Sequence, residues 1–182
     1  GFGHNALLAN TTGQQQVAVG AFALDAATTG DLNTAVGYAA MSTATTGHSS
    51  VAVGNLALFS TTTGANNVAL GANALYTNTT ADNNTAIGRD SLKLNTTGTQ
   101  NVAVGAFALD ANTTANDNTA LGYNTLGANT TGTGNVAVGS LCLDANNTGA
   151  GNVGLGNGAL GANTTASNNT GLGHLALLSN TT

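Results

Sequence analysis

The sequence predicts an all-β chain, a parallel β-solenoid of about eleven 17-residue coils running through residues 1–182 with no internal boundary. Three observations carry this. Glycine recurs at Gly20, Gly37, Gly54, Gly71, Gly88, Gly105, Gly122, Gly139, Gly156 and Gly173, always 17 residues apart, with Gly3 one step earlier. Large and small residues alternate before each of these glycines, which is the period of a strand and not of a helix. Charged residues make up only 5% of the chain, against about 25% in ordinary soluble domains. Pro and Trp are absent, and all seven acids are Asp.

Each part of the repeat has a physical reading when Asn101 is slot 1 and Gly105 is slot 5. Slot 1 is mostly Asn, slot 2 is Val or Thr, slot 3 is Ala or Gly, and slot 4 is Val, Leu or Ile after Phe2. β-Branching at slot 2 favours a strand. Gly at slots 5 and 15 marks bends. Slot 9 is Leu except at Met41, slots 12–15 read close to N-T-T-G, and slot 14 is Thr from Thr12 to Thr182. Seventeen residues suit two short strands and two turns, with coils stacking at about 4.8 Å into a rod roughly 50 Å long. Stacking turns slots into ladders. Val102, Val104 and Leu109 (slots 2, 4 and 9) are expected to form a thin continuous core whose stability comes from neighbouring coils. Asn101 and the Asn of slot 12 are expected to pair amides coil to coil, and Thr114 its hydroxyl. One inserted residue would swap the faces of a strand, which accounts for the fixed spacing. The small slots 3, 5 and 8 hint at lateral packing between chains.

A longer period lies above the coil. Slot 2 reads Val, Thr, Val, Val, Thr from Val17 to Thr85, and the same again from Val102 to Thr170. Phe22 matches Phe107, Leu56 matches Leu141 and Tyr38 matches Tyr123, each 85 residues on. GFGHNALLANTT (1–12) and GLGHLALLSNTT (171–182) correspond at twice that offset. Duplication of a multi-coil block explains both, and the chain reads as a window of a longer fibre. Uncapped ends are the open edges that a neighbouring coil or subunit would cover.

The core N-[VT]-A-[VLI]-G-x-x-A-L, as in NTAVGYAAM (33–41) and NVALGANAL (67–75), resembles the head repeats of trimeric autotransporter adhesins. It is similar also to repeats of phage tail-fibre shafts. The resemblance covers the whole chain. It implies a left-handed parallel β-roll, three chains around one axis, and a place at a cell or virion surface. The adhesin repeat is shorter and lacks the N-T-T-G arm.

Composition narrows the chemistry. With only Arg89 and Lys93 as fixed cations and a net charge of −5, the chain has no electrostatic footprint for nucleic acid. No apolar run is long enough for a transmembrane helix. His4, His48 and His174 fall in different coils, Asp25, Asp110 and Asp144 share slot 10 but never in adjacent coils, and Asp31, Asp82, Asp90 and Asp117 are scattered. Neither a nucleophile–base pair nor a metal cluster follows, so no enzyme, metal or cofactor is expected. Cys142 sits where other coils have Ala, Ser or Thr and reads as a small buried side chain. Lys93 and Asp110, both slot 10 of successive coils, are expected to be surface neighbours. Phe22, Tyr38, Phe59, Tyr76, Phe107 and Tyr123 occupy variable slots and are candidate interface aromatics. Asn-x-Thr sequons recur at slot 12 and at Asn83 and Asn168, where an Asn ladder competes with glycosylation as the explanation.

The function expected from these features is a structural extracellular fibre or shaft, a homotrimer or an end-to-end polymer. An adhesin head or phage receptor-binding fibre for a surface glycan or protein is the alternative. An ice-binding face built from Thr at slot 14 and Asn at slot 12 is a third.

Overall fold

A computed structural model describes residues 1–181 and places every coil in the predicted register. Among these residues, ten three-residue strands run from β1 (Val17–Val19) to β10 (Thr170–Leu172), with β5 (Thr85–Ile87), β6 (Val102–Val104) and β7 (Thr119–Leu121) at the middle. They form one parallel sheet in chain order. Val102 pairs with Thr119, Ala103 with Ala120 and Val104 with Leu121, an offset of 17 that holds at every junction. The chain is therefore a β-solenoid. Thr182, the last Thr of the slot-14 series, lies outside the described residues.

Each coil carries one strand where two were expected. The far side, slots 6–11, is a run of turns. Slots 7 and 9 take left-handed backbone angles, as in Phe107 (φ 60°) and Leu109 (φ 51°), so the chain cannot extend there. A left-handed Leu costs about 1–2 kcal/mol, and burial of that same side chain offsets it. Stitching between coils continues regardless. The amides of Leu92, Leu94 and Thr96 donate to the carbonyls of Ala108, Asp110 and Thr113 at 3.0, 3.1 and 2.9 Å.

The core has the opposite phase to the one expected. Slot 3, not slots 2 and 4, points inward. Ala103, Ala108 and Leu109 are fully buried, whereas Val102 and Val104 are half exposed and line the outside of the sheet. The lumen is too narrow for more. A Cβ built on Gly154, at slot 3, would lie 3.3 Å from Leu143 Cδ1 and 2.5 Å from Cys142 Sγ. There the larger Cys142 of slot 8 leaves room for glycine only; where slot 8 is smaller, the slot-3 alanines such as Ala103 and Ala120 are fully buried, and a larger slot-3 side chain would overpack. The continuous core is thus Ala of slots 3 and 8 against Leu of slot 9.

Two buried Asn ladders run side by side along one corner of the coil. At slot 1, Asn101 N donates to Asn84 Oδ1 (2.9 Å), and Asn101 Oδ1 accepts from Asn118 N (3.1 Å). At slot 12, Asn112 Nδ2 donates to Asn95 Oδ1 (2.9 Å) and accepts through its own oxygen from Asn129 Nδ2 (3.2 Å). The threonine ladder sits one slot earlier than expected. Thr96 Oγ1, at slot 13, donates to the Thr113 carbonyl of the next coil (3.0 Å), while Thr114 at slot 14 is exposed.

Gly105 has φ 138°, a region open essentially to glycine, and a Cβ there would collide with the carbonyl of Gly122. Slot 15 differs. Gly98 needs no positive φ, and Ala81 and Ala115 occupy the same slot of other coils.

Candidate functional site

Three surfaces remain once the core is accounted for: the outer sheet face, the flank of slots 6, 7 and 10, and the corner of slot 14. The sheet face carries two parallel rows. One runs through Val68, Thr85, Val102 and Thr119, the other through Leu70, Ile87, Val104 and Leu121. Both rows hold only Val, Thr, Leu and Ile from β1 to β10, and neither contains a charge. Val17, Val19, Val53, Ile87, Val136, Val153, Leu155 and Leu172 are all exposed. The strand geometry explains why. With Ala committed inward, the period of two sends its large neighbours outward. A contiguous apolar strip of this kind is uncommon on a monomer.

The flank holds the aromatics, and they pair with one another between coils. Phe22 meets Tyr38 edge to face at 5.9 Å, Phe107 meets Tyr123 at 6.0 Å, and Phe59 stacks on Tyr76 at 5.3 Å. Tyr38 and Tyr123 remain more than half exposed. His4 lies edge-on to Phe22, His48 Nδ1 lies 3.4 Å from Ser49 Oγ, and His174 is exposed on the last described coil.

The only two fixed cations both turn to one acid. Arg89 Nε meets Asp90 Oδ2 at 2.9 Å, and Lys93 Nζ meets Asp90 Oδ1 at 3.4 Å. Lys93 was expected beside Asp110. The register does put them on adjacent coils, but Lys93 folds back three residues to Asp90. Burial pushes the Asp90 carboxyl up, yet the hydrogen bond from Asn73 and the charges of Lys93 and Arg89 outweigh it and hold the group below its ordinary value. Arg89 also lies 5.5 Å from the Phe107 ring centroid. Desolvation raises the carboxyls of Asp110 and Asp144 above their ordinary value.

Asp31 and Asp82, which looked scattered in sequence, share slot 16 and a role. Each accepts the amide of the preceding coil's slot 16, Gln14 N (2.6 Å) and Ala65 N (2.7 Å), and Asn116 does the same for Thr99 N. The signal was the slot number and a short acceptor side chain. Among the described residues, no three His, Cys, Asp or Glu side chains come together as a metal site would require.

The sequons divide by burial. Asn78, Asn95, Asn112, Asn129, Asn146 and Asn163 of slot 12 are fully buried in the ladder, while Asn83 and Asn168 are exposed. The same burial removes the surface on which slots 12 and 14 would act together toward ice, since only the Thr of slot 14 reaches solvent. No described helix is long and apolar enough to cross a membrane. Compared with known proteins, the chain matches no family model, no curated protein and no solved structure.

Proposed function

We infer that this chain is a structural segment of an extracellular fibre, self-associating through the outer face of its sheet. The observation that carries the reading is the pair of uncharged Val/Thr and Val/Leu/Ile rows running the full length of the sheet. At about 4.8 Å per coil, ten strands make a strip roughly 45 Å long. A second copy offers rows of identical pitch, so ridges of one seat between ridges of the other along the whole strip. Burying these rows against like rows removes apolar area from water without desolvating any charge. Constant register adds a second support, because a rod whose coils repeat without interruption is extended by adding coils and needs no other change. A cell or virion surface is the setting such a rod fits.

Sedimentation velocity and electron microscopy test the reading together. The expected result is dimers, trimers or filaments of uniform width. Replacing Thr85 and Val104 with Lys at mid-strip should return the chain to monomers with an unchanged circular dichroism spectrum. A wild-type chain that stays monomeric at high concentration overturns it.

A further inference from the structure

The two 85-residue blocks differ at one place in a way that opens a groove. In the first block, the flank around slots 7 and 10 is filled. Phe59 and Tyr76, slot 10 of successive coils, stack with planes 7° apart. Beside them Asn73 of slot 7 donates to Asp90 Oδ1 at 3.0 Å. In the second block the counterparts of Asn73 and Tyr76 are Gly158 and Gly161, and the counterpart of Phe59 is Asp144. One amide side chain and one phenol ring are thus missing from a single coil. What remains is an open groove of about 360 Å³ lined by Leu141, Asp144, Asn157, Leu175 and Leu178 together with the two glycines.

Three features define what the groove takes. Its volume lies in the range of small-molecule sites. Its walls are leucine side chains from the coils on either side, suited to a flat apolar ring. Leu175 Cδ2 and Leu178 Cδ1 lie 2.7 and 3.0 Å from Cβ atoms built on Gly158 and Gly161, so these two leucines lean over the glycines and form the wall of the groove beside Asp144. Its one charged wall group is Asp144, and both fixed cations of the chain are engaged by Asp90, three coils away. Desolvation already disfavours the bare Asp144 carboxylate, which gives an incoming cation a larger effect than it would have at an open surface.

We propose that this groove is a binding site for a small aromatic ammonium, its ring against Leu141, Leu175 and Leu178 and its amine on Asp144. The site is independent of the sheet face and of self-association through it.

Ligand-observed NMR on the full chain, with phenethylammonium, phenylacetate and butylammonium as probes, tests the site. Phenethylammonium should bind saturably, and the other two at least about 10-fold more weakly, one lacking the charge pair and the other the ring. Gly161→Tyr and, separately, Gly158→Asn should each abolish binding. Both restore the residue that the same slot holds at Tyr76 and Asn73, and Asn73 shares the left-handed φ (56°) of Gly158 (65°). Asp144→Asn should weaken phenethylammonium but not a neutral ring analogue such as toluene. No binding of phenethylammonium, equal binding of phenylacetate, or undiminished binding in a correctly folded Gly161→Tyr or Gly158→Asn chain would each overturn the proposal.

Discussion

Asn101 and Asn112, eleven residues apart in the chain, donate to the same acceptor. Their Nδ2 atoms lie 2.8 and 3.2 Å from the carbonyl oxygen of Ala115. The arrangement recurs in neighbouring coils, where Asn84 and Asn95 meet at Gly98 and Asn118 and Asn129 meet at Gly132. One carbonyl per coil thus ties the start of the strand to the corner that closes the coil.

The two partners are not equal, and their substitution should show it. Asn101 also accepts the buried amide of Asn118, so Asn101→Ala orphans a backbone N–H as well as part of a carbonyl. A loss of about 2–3 kcal/mol is expected. Asn112→Ala leaves the Ala115 carbonyl with Asn101 but strips the donor from buried Asn95 Oδ1; side-chain amides can re-pair along the ladder where a backbone N–H cannot, so a smaller loss of about 1–2 kcal/mol is expected. Slot 12 already holds Ala27 and Ala44 in other coils, whereas slot 1 keeps a polar side chain, as at Gln16 and Ser50. Urea unfolding midpoints of the two variants give the comparison, and a larger loss for Asn112→Ala would refute it.

The glycines of slots 5 and 15 look alike in sequence and should behave differently. Gly105→Ala places a Cβ against the Gly122 carbonyl at a φ of 138°, and a loss of at least about 3 kcal/mol is expected. Gly98→Ala also brings its Cβ against a carbonyl, that of Ala115, but it needs no positive φ and Ala81 and Ala115 stand in the same slot of other coils, so a smaller loss of about 1–2 kcal/mol is expected. Thermal melting of the pair separates a conformational need from mere proximity.

Acid should act on three carboxyls in two directions. Asp90 is held below its ordinary value of 3.8, so its contribution is complete above that pH and is lost as pH falls through the lower folded value. Asp110 and Asp144 are raised above 3.8. Their carboxylates cost stability at neutral pH, and the cost is relieved as pH falls from the raised value to the ordinary one. Asp144→Asn is therefore expected to stabilise at neutral pH, with the gain vanishing near pH 3, and Asp90→Asn to destabilise at neutral pH. Melting temperatures across that range that move both variants in the same direction would contradict the assignment.

Cys142 is fully buried and its thiol is pushed up to about 11 by desolvation. A thiol in that state is a poor nucleophile. Iodoacetamide at pH 8 should leave the native chain unmodified and label it completely in denaturant, with intact mass as the readout. Rapid labelling of the native chain would place Cys142 at the surface instead.

The coil length, the register and both Asn ladders were legible in the sequence because each depends only on spacing. Residues 17 apart become neighbours whatever the cross-section, so Asn84, Asn101 and Asn118 had to meet once the coils stacked. The identity of the inner face was not legible in this way. Alternation in NVAVG fixes a period of two but leaves open whether Val or Ala faces in, and the usual preference for large residues inside points to the wrong face in a lumen this narrow. The single strand per coil escaped for a related reason. Left-handed angles at Phe107 and Leu109 have no local signature in bulky residues, and only the fit of Leu109 into the core rewards them. The groove beside Asp144 was visible in sequence only as two glycines at variable slots. Its walls come from residues 17 positions before and after, and aligning coils by slot could have found it.

The inverted phase of the core makes the sharpest test. Ala103 is fully buried against the Leu ladder, while Val104 beside it projects from the outer face. Ala103→Val adds two methyl groups where the neighbouring coils leave no room, and overpacking of this kind costs about 1–3 kcal/mol. Val104→Thr keeps the β-branch and changes only the outer row, so a monomer should lose no more than about 0.5 kcal/mol. A core of Val102 and Val104 would give the reverse order, with Val104→Thr burying an unpaired hydroxyl and Ala103→Val falling on solvent. Unfolding midpoints measured at a concentration where the chain is monomeric decide between the two, because self-association through the outer strip would add its own contribution at position 104.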